Sequence, residues 1–298
     1  MPETIRARLL LDCRNILAEG IQWHGEQNKL YWTDIHGRAL WSCNADGSGA
    51  AKTDFEKRIG SFAFTDQGTL VIAHEDGLAH FDPGNGGLRE LFEIEADLPT
   101  TRLNDGRCDR DGRFVFGGLD EDGLRPLSGV YSFAGGTSAT PLITEVGCTN
   151  SLCFSPDGTR MYFADSSGKR IYRYAYDRAT GAVSDRAVFA ELGNSEGAPD
   201  GSCVDAEGGV WNAQFEGGCV QRFLPDGTRD IRIELPVSQV TLACFGGGNL
   251  DTLFIATARE GFSPERQAEE PTAGGIYVAE LDGIRGLPEE RFRGRLPL

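Results

Sequence analysis

The stretch "DRDGRFVFGG", residues 109–118, joins a tight polar turn to a run of alternating apolar residues. Aspartate and glycine favour a turn between two strands, and the alternation that follows is typical of a half-buried β-strand. Similar pairs of turn and strand recur along the chain, in "DIHGRALWSC" (34–43), "TDQGTLVIAH" (65–74), "SPDGTRMYFAD" (155–165), "DAEGGVWNAQ" (205–214) and "GGNLDTLFIATA" (247–258). This repetition is the main sequence evidence for the fold.

The copies are regularly spaced. Consecutive strands of this kind begin 40 to 49 residues apart when their first residues are taken as Lys29, Thr69, Arg113, Arg160, Gly209 and Thr252. An inner segment precedes each strand and a second amphipathic segment follows it, which gives six units of three or four strands. Such a period in an all-β chain is typical of a β-propeller. The sequence therefore predicts a six-bladed β-propeller, with four-stranded antiparallel blades around a central channel.

We predict a single domain over residues 1–298. Its blades lie at approximately 14–50, 55–90, 100–140, 145–185, 195–235 and 238–285. The last blade needs an edge strand from one end of the chain. Residues 6–13, "RARLLLDC", can supply this strand, and the C-terminal "RFRGRLPL" is a second candidate. A large sandwich or two barrels would leave the regular sixfold period unexplained.

The composition excludes several classes of partner. A net charge of −16 makes the surface repel nucleic acid and anionic membranes, so neither is an expected partner. No segment resembles a membrane span or the apolar region of a signal peptide. The eight cysteines show no CxxC spacing and are expected to be free thiols in the reducing cytoplasm.

Polar residues stand where four of the six inner strands begin. They are Glu19 in the first unit, Arg102, Asn104 and Asp105 in the third, Asn150 in the fourth and Asp200 in the fifth. Inner strands of a propeller line its channel, so these side chains are expected to face water or a ligand. Carboxylate and amide oxygens favour a hard divalent cation, namely Ca²⁺, Mg²⁺ or Mn²⁺, or less selectively Zn²⁺.

Four segments resemble signatures of the SMP-30/gluconolactonase family. "LAEGIQW" (17–23) is similar to its L-G-E-G-P-x-W motif, and "RLNDGRCDRDGRFVFGG" (102–118) to its R-x-N-D-G-x-x-D-x-x-G-R-x-W-x-G motif. "TNSLCFSPDGTRMYFAD" (149–165) and "PDGSCVDAEGGVWNA" (199–213) resemble the two others. The resemblance spans about residues 15–283. It implies a six-bladed propeller with one divalent metal and, for many members, hydrolysis of sugar lactones.

Carried over motif by motif, the resemblance implies metal ligands and substrate contacts. The metal ligands would be Glu19, Asn150 and Asp200, and the substrate contacts Arg102, Asn104 and Glu121. Asp120 and Asp122 compete with Glu121 in the acidic "LDEDG" segment (119–123), whereas Asp105 is expected to brace its loop. The chain departs from the motifs at four positions that are expected to affect packing, which are Ala18, Ile21, Phe116 and Ser151.

These residue types suit the hydrolysis of an activated ester. A divalent cation with open coordination positions can polarise a carbonyl and lower the pKa of water. Asp200 is the predicted general base, while Arg102 and Asn104 would bind the ring hydroxyls of a small-molecule sugar lactone. Two alternatives remain: a phosphotriesterase-like hydrolase, whose pocket should be more apolar, and a non-enzymatic cation-binding or interaction propeller.

Overall fold

The computed structural model describes residues 3–297, and strands dominate its regular structure. Besides the strands, the described part of the chain contains a 3₁₀ turn at Ser166–Gly168 and a short helix, α1, at Pro264–Glu269. The strands, in chain order, are β1 (Glu3–Arg6), β2 (Arg8–Leu11), β3 (Ala18–His24), β4 (Lys29–Asp34), β5 (Ala39–Asn44), β6 (Ala51–Asp54), β7 (Ile59–Phe64), β8 (Leu70–His74), β9 (Gly77–Asp82), β10 (Gly87–Glu93), β11 (Thr101–Cys108), β12 (Phe114–Asp120), β13 (Ser128–Phe133), β14 (Thr140–Val146), β15 (Thr149–Phe154), β16 (Arg160–Asp165), β17 (Arg170–Tyr176), β18 (Val183–Glu191), β19 (Ala198–Val204), β20 (Val210–Phe215), β21 (Cys219–Phe223), β22 (Arg229–Glu234), β23 (Val240–Gly246), β24 (Thr252–Thr257) and β25 (Ile276–Glu280).

These strands form six sheets, and the fold is a six-bladed β-propeller with four-stranded antiparallel blades, as the period predicted. Four blades are runs of consecutive strands: β3–β6, β7–β10, β11–β14 and β15–β18. The N-terminal strands join the other two blades. β2 lies within residues 6–13 and pairs antiparallel with β25, which completes the blade of β23–β25. β1 adds a fifth, parallel strand to β22 in the blade of β19–β22.

The chain divides into two compact units, and the boundary between them cuts through β18. The first unit comprises residues 3–56 and 189–289, with the blades that begin at β3, β19 and β23. The second unit comprises residues 57–188 and 290–297, with the blades that begin at β7 and β11 and most of the blade that begins at β15. That the whole chain is a single domain stays a prediction.

Every inner strand has an irregularity close to its start, where its pairing with the next strand changes register. In the second unit the change falls between Ile59 and Ser61, Leu103 and Gly106, and Asn150 and Cys153. In the first unit it falls between Glu19 and Gln22, Pro199 and Ser202, and Val240 and Leu242. A bulge turns side chains out of the regular alternation and is frequent next to active sites. The predicted site residues on inner strands therefore lie at or beside irregular positions, whereas Glu121 follows the end of β12.

The core lies between adjacent blades within each unit. In the first unit, the Trp211 ring of β20 packs edge-on against Phe245 of β23, with 5.7 Å between the ring centroids. In the second unit, Phe133 stacks on Phe292 at 5.0 Å. Phe292 belongs to the C-terminal segment, which bridges to Thr65 at the end of β7. The final residue of "RFRGRLPL", Leu298, lies outside the described residues.

Two local features differ from expectation. The "DIHG" turn lies between β4 and β5, the second and third strands of its blade, whereas the other repeated turns join first and second strands. In this blade the equivalent turn is "GEQN" (25–28), in which Asn28 supplies the positive φ of 50°. Helix α1 was not expected, because its six residues are too few for periodicity. Its sequence signal is a Ser263 cap followed by Pro264 at the first helical turn.

The cysteines agree with the sequence analysis: all eight are free thiols, and all but Cys13 are buried. No helix among residues 3–297 is long and apolar enough to cross a membrane.

Candidate functional site

Arg102 and Asn104, in the polar run that opens β11, are buried and hydrogen-bonded to each other. Arg102 and Asn104 are only 4% and 5% exposed. The Arg102 guanidinium donates from Nη1 to Asn104 Oδ1 at 2.7 Å and to the Leu103 carbonyl at 3.1 Å. Its Nε donates to Glu121 Oε1 at 3.2 Å. Because every buried polar group needs a partner, these bonds explain how a strand that enters the core can begin with charged residues.

A chain of amide hydrogen bonds continues from β11 to the next inner strand. Asn104 Nδ2 donates to Asn150 Oδ1 at 3.2 Å and to the Thr149 carbonyl at 3.0 Å. Asn150 Nδ2 in turn donates to Ser166 Oγ at 2.8 Å, which orients the amide. The Asn150 oxygen has a second lone pair beyond the one that Asn104 uses, so it can still ligate a cation. The structure thus brings Arg102, Asn104 and Asn150 together.

Glu121 lies next to Arg102, whereas the two competing acids pair elsewhere. Arg125 binds Asp120 through Nε at 2.9 Å and approaches Asp122 at 3.2 Å. Glu121 accepts hydrogen bonds from Nη1 and Nη2 of Arg58 at 2.7 and 3.0 Å. Burial alone would raise the pKa of Glu121, but the bonds from Arg58 and the charge of Arg102 outweigh it and hold the pKa below its usual value.

Asp105 occupies the bulge of β11 and braces the neighbouring strand. Its Oδ2 accepts a hydrogen bond from the Leu152 amide at 2.8 Å. Burial raises the pKa of Asp105 to about 6, against the opposing effects of the Leu152 bond and the Arg107 charge. Asp105 was expected to brace its own loop; it lies instead within β11 and braces the neighbouring strand β15, because residues 104–106 form a bulge and not a turn.

Glu19 and Asp200 belong to the first unit, and both are buried at the start of an inner strand. Glu19 Oε2 accepts a hydrogen bond from the backbone N–H of Gly20 at 3.2 Å. The side-chain amide of Asn212 donates from Nδ2 to the backbone carbonyl of Asp200 at 3.0 Å. Among residues 3–297, no three His, Cys, Asp or Glu side chains are grouped so that they could hold a metal ion. The predicted ligand set, two carboxylates and one amide, is of a different kind and stays a prediction.

The bulges explain one departure from the family motifs. Gly20 and Ser151 follow Glu19 and Asn150 directly, and both have φ of 60°. Glycine adopts this left-handed conformation without steric cost, whereas serine does so less readily. Ser151 nevertheless keeps the bulge, so the backbone after Asn150 has the conformation that the usual glycine would give.

Sequence reasoning missed Arg58 and Glu75. Glu75 accepts a bond from Arg58 Nε at 2.6 Å, so Arg58 joins two carboxylates. A signal was present, because Arg58-Ile59 stands before the bulge of β7 as Arg102-Leu103 stands before the bulge of β11. The second unit was not among the four expected to begin with polar residues, because Arg58 lies one residue before β7.

Comparisons with known proteins give a consistent result. The family described as SMP-30/Gluconolactonase/LRE-like region matches residues 17–259. The chain is 40% identical to L-arabinolactonase of Azospirillum brasilense, over 97% of this chain and 96% of that protein. It is 34% identical to the pentonolactonase XacC of Haloferax volcanii, over 95% and 96% respectively.

Among solved structures, the calcium-binding protein regucalcin from Agrobacterium tumefaciens is similar. Its TM-score is 0.93 at 29% identity, and the match covers 98% of each chain.

Proposed function

Because this chain belongs to the SMP-30/gluconolactonase/LRE-like family, we propose that it hydrolyses a sugar lactone to the open-chain sugar acid with the help of one divalent cation. The reaction class has support from relatives at 40% and 34% identity, which are named as lactonases of five-carbon sugars. On this basis the chain is an enzyme of the sugar lactonase type. Free cysteines throughout are consistent with a cytoplasmic location.

One observation carries the proposal, namely the hydrogen-bonded run Arg102–Asn104–Asn150 at the bulges of two inner strands. A guanidinium presents forked donors, and an amide presents both a donor and an acceptor. Such groups match the vicinal hydroxyls of a sugar better than the ester groups of an organophosphate. We therefore assign Arg102, Asn104 and Glu121 to the sugar and favour the lactonase over the phosphotriesterase alternative.

The donor chemistry of the proposed metal ligands fits a hard cation. Glu19, Asn150 and Asp200 offer only oxygen atoms, and each is buried at the start of an inner strand. Oxygen donors of this kind suit Ca²⁺, Mg²⁺ or Mn²⁺, and accept Zn²⁺. A bound cation of this kind would polarise the lactone carbonyl and make water easier to deprotonate.

The protein groups would then move one proton and orient the ring. Asp200 takes a proton from the attacking water, whose oxygen forms a bond to the lactone carbonyl carbon. The bond between that carbon and the ring oxygen breaks, and the proton returns to the ring oxygen as the sugar acid leaves. Arg102 and Asn104 hold the hydroxyls meanwhile, so that the carbonyl faces the water.

The test is hydrolysis of a lactone panel, followed by pH-stat, with wild type and Asp200→Asn, each loaded with metal. The panel contains pentono- and hexonolactones and one phosphotriester. Wild type should hydrolyse at least one sugar lactone and leave the phosphotriester intact. Asp200→Asn keeps an oxygen donor but removes the base, so kcat should fall by about 10²-fold or more.

Asp226→Asn is the matched control, because Asp226 makes an ordinary turn in the same unit by accepting the Thr228 amide. It should keep wild-type kcat. Circular dichroism should show that both variants are folded. A fully metal-loaded Asp200→Asn with wild-type kcat would rule out the general-base role.

A further inference from the structure

Arg58 directly precedes the inner strand β7, and Arg102 is the second residue of the next inner strand, β11. Each arginine is followed by one apolar residue, Ile59 or Leu103, and then by the change of register. Both side chains reach the same carboxylate, because Glu121 Oε1 lies 2.7 Å from Arg58 Nη1 and 3.2 Å from Arg102 Nε. Glu121 therefore binds two arginines, one from the start of each of two consecutive blades of the second unit.

Arg58 holds Glu121 in a fixed orientation. Its Nη1 and Nη2 bind the two oxygens of Glu121, which is the planar bidentate arrangement that restricts a carboxylate most. Its Nε is anchored to Glu75 Oε2 at 2.6 Å, so the guanidinium itself cannot rotate freely. Arg58 and Arg102 together use three of the roughly four acceptor positions of the Glu121 carboxylate. Glu121 keeps room for one further donor, such as a sugar hydroxyl.

The cluster is balanced in charge and partly open. Two arginines, Arg58 and Arg102, face two glutamates, Glu75 and Glu121, so their formal charges cancel. The Arg58 and Glu121 side chains are 22% and 35% exposed, which leaves part of the pair accessible to a ligand. A balanced cluster gives an anionic substrate no net attraction, whereas it can exchange hydrogen bonds with neutral hydroxyls.

We propose that Arg58 is a positioning residue of the sugar site, which fixes Glu121 as an ionised acceptor and balances the cluster so that the site prefers an uncharged lactone. This inference rests on the proposed lactonase function. Arg58 acts through Glu121 and need not touch the substrate. Substituting it should therefore weaken substrate binding much more than it slows the chemical step.

The experiment measures KM and kcat for a neutral polyhydroxy lactone in wild type, Arg58→Gln, Arg58→Lys, Glu121→Gln and the Arg58→Gln/Glu121→Gln double variant. Arg58→Gln should raise KM by about tenfold and change kcat by less than about threefold. Arg58→Lys should recover part of the loss, because lysine keeps the charge but not the bidentate geometry. The double variant should match Glu121→Gln alone, since Arg58 acts through that carboxylate.

Charge preference gives a second measurement, which compares kcat/KM for the neutral lactone and for a lactone that carries a carboxylate. Arg58→Gln leaves the cluster with one excess negative charge and should shift the preference further toward the neutral substrate. Glu121→Gln leaves one excess positive charge and should shift it toward the anionic one. The matched control is Arg178→Gln, which removes a comparable bidentate pair with Asp111 in the same unit and should change neither quantity.

A wild type that hydrolyses no sugar lactone would overturn both this inference and the proposed function. An active wild type whose KM is unchanged in Arg58→Gln would overturn this inference alone. Additive effects of Arg58→Gln and Glu121→Gln would also contradict it, because they would show that Arg58 does not act through Glu121.

Discussion

Asp105 is the buried carboxyl whose protonation most directly links a single residue to stability. Its pKa of about 6 in the folded chain lies above the ordinary value of 3.8. The folded state therefore binds this proton more tightly than the unfolded state does. The contribution of Asp105 to the free energy of unfolding is largest at acid pH, near and below the pKa of this residue in the unfolded chain. It is lost as the pH rises through about 6.

Asp105→Asn should remove this pH dependence, because an amide oxygen can still accept the Leu152 bond without carrying a charge. The free energy of unfolding of the variant minus that of wild type should be about 2 kcal/mol greater at pH 7.5 than at pH 4.5. Urea denaturation of the metal-free proteins at both pH values measures it. A constant difference between the two proteins would mean that Asp105 does not titrate in this range.

At the scale of elements, the bulges of neighbouring inner strands pack against each other. Gly60 lies in the bulge of β7, where a Cβ would stand 2.5 Å from the Leu103 carbonyl oxygen and 2.6 Å from that of Asn104. Both atoms belong to the backbone of β11 and cannot rotate away. The close approach of these two strands therefore requires glycine at this position.

Gly60→Ala should consequently disturb both stability and the site. We expect the free energy of unfolding to fall by about 1–3 kcal/mol, a typical cost of overpacking, and KM for a hydroxylated lactone to rise as β11 moves. Denaturant melts and initial rates measure the two effects. Gly25→Ala is the control, since a Cβ there has no neighbour within 4 Å. Equal behaviour of both variants would show that the contact with β11 does not constrain the strand.

The same elements show how far the sequence could predict the site. Turn signals and alternation located the six blades, because both are local properties of the chain. The strand starts taken as Lys29, Arg160 and Thr252 coincide with the starts of β4, β16 and β24. The partners of a long side chain depend on distant strands, which the spacing does not report. That is why the bonds of Arg58 to Glu75 and Glu121 were not anticipated.

At the scale of the whole molecule, two features bear on metal dependence. The chain carries a net charge of −16, which raises the local concentration of cations. Its core is built from extensive apolar packing between blades within each unit, so folding has support that does not involve a metal. We therefore expect removal of the cation to abolish activity and to leave the chain folded. Removal of a structural cation would instead unfold the chain.

Metal-dependent lactone hydrolysis is measured most directly with the wild-type chain after chelation and dialysis, with metal content and circular dichroism recorded in parallel. We predict that the metal-free protein keeps its β-sheet spectrum and loses turnover of the sugar lactone. Turnover should return when one of Ca²⁺, Mg²⁺, Mn²⁺ or Zn²⁺ is added back. Full turnover by a protein verified to be metal-free would rule out a metal-dependent lactonase, and loss of the β-sheet spectrum on chelation would show that the cation is structural.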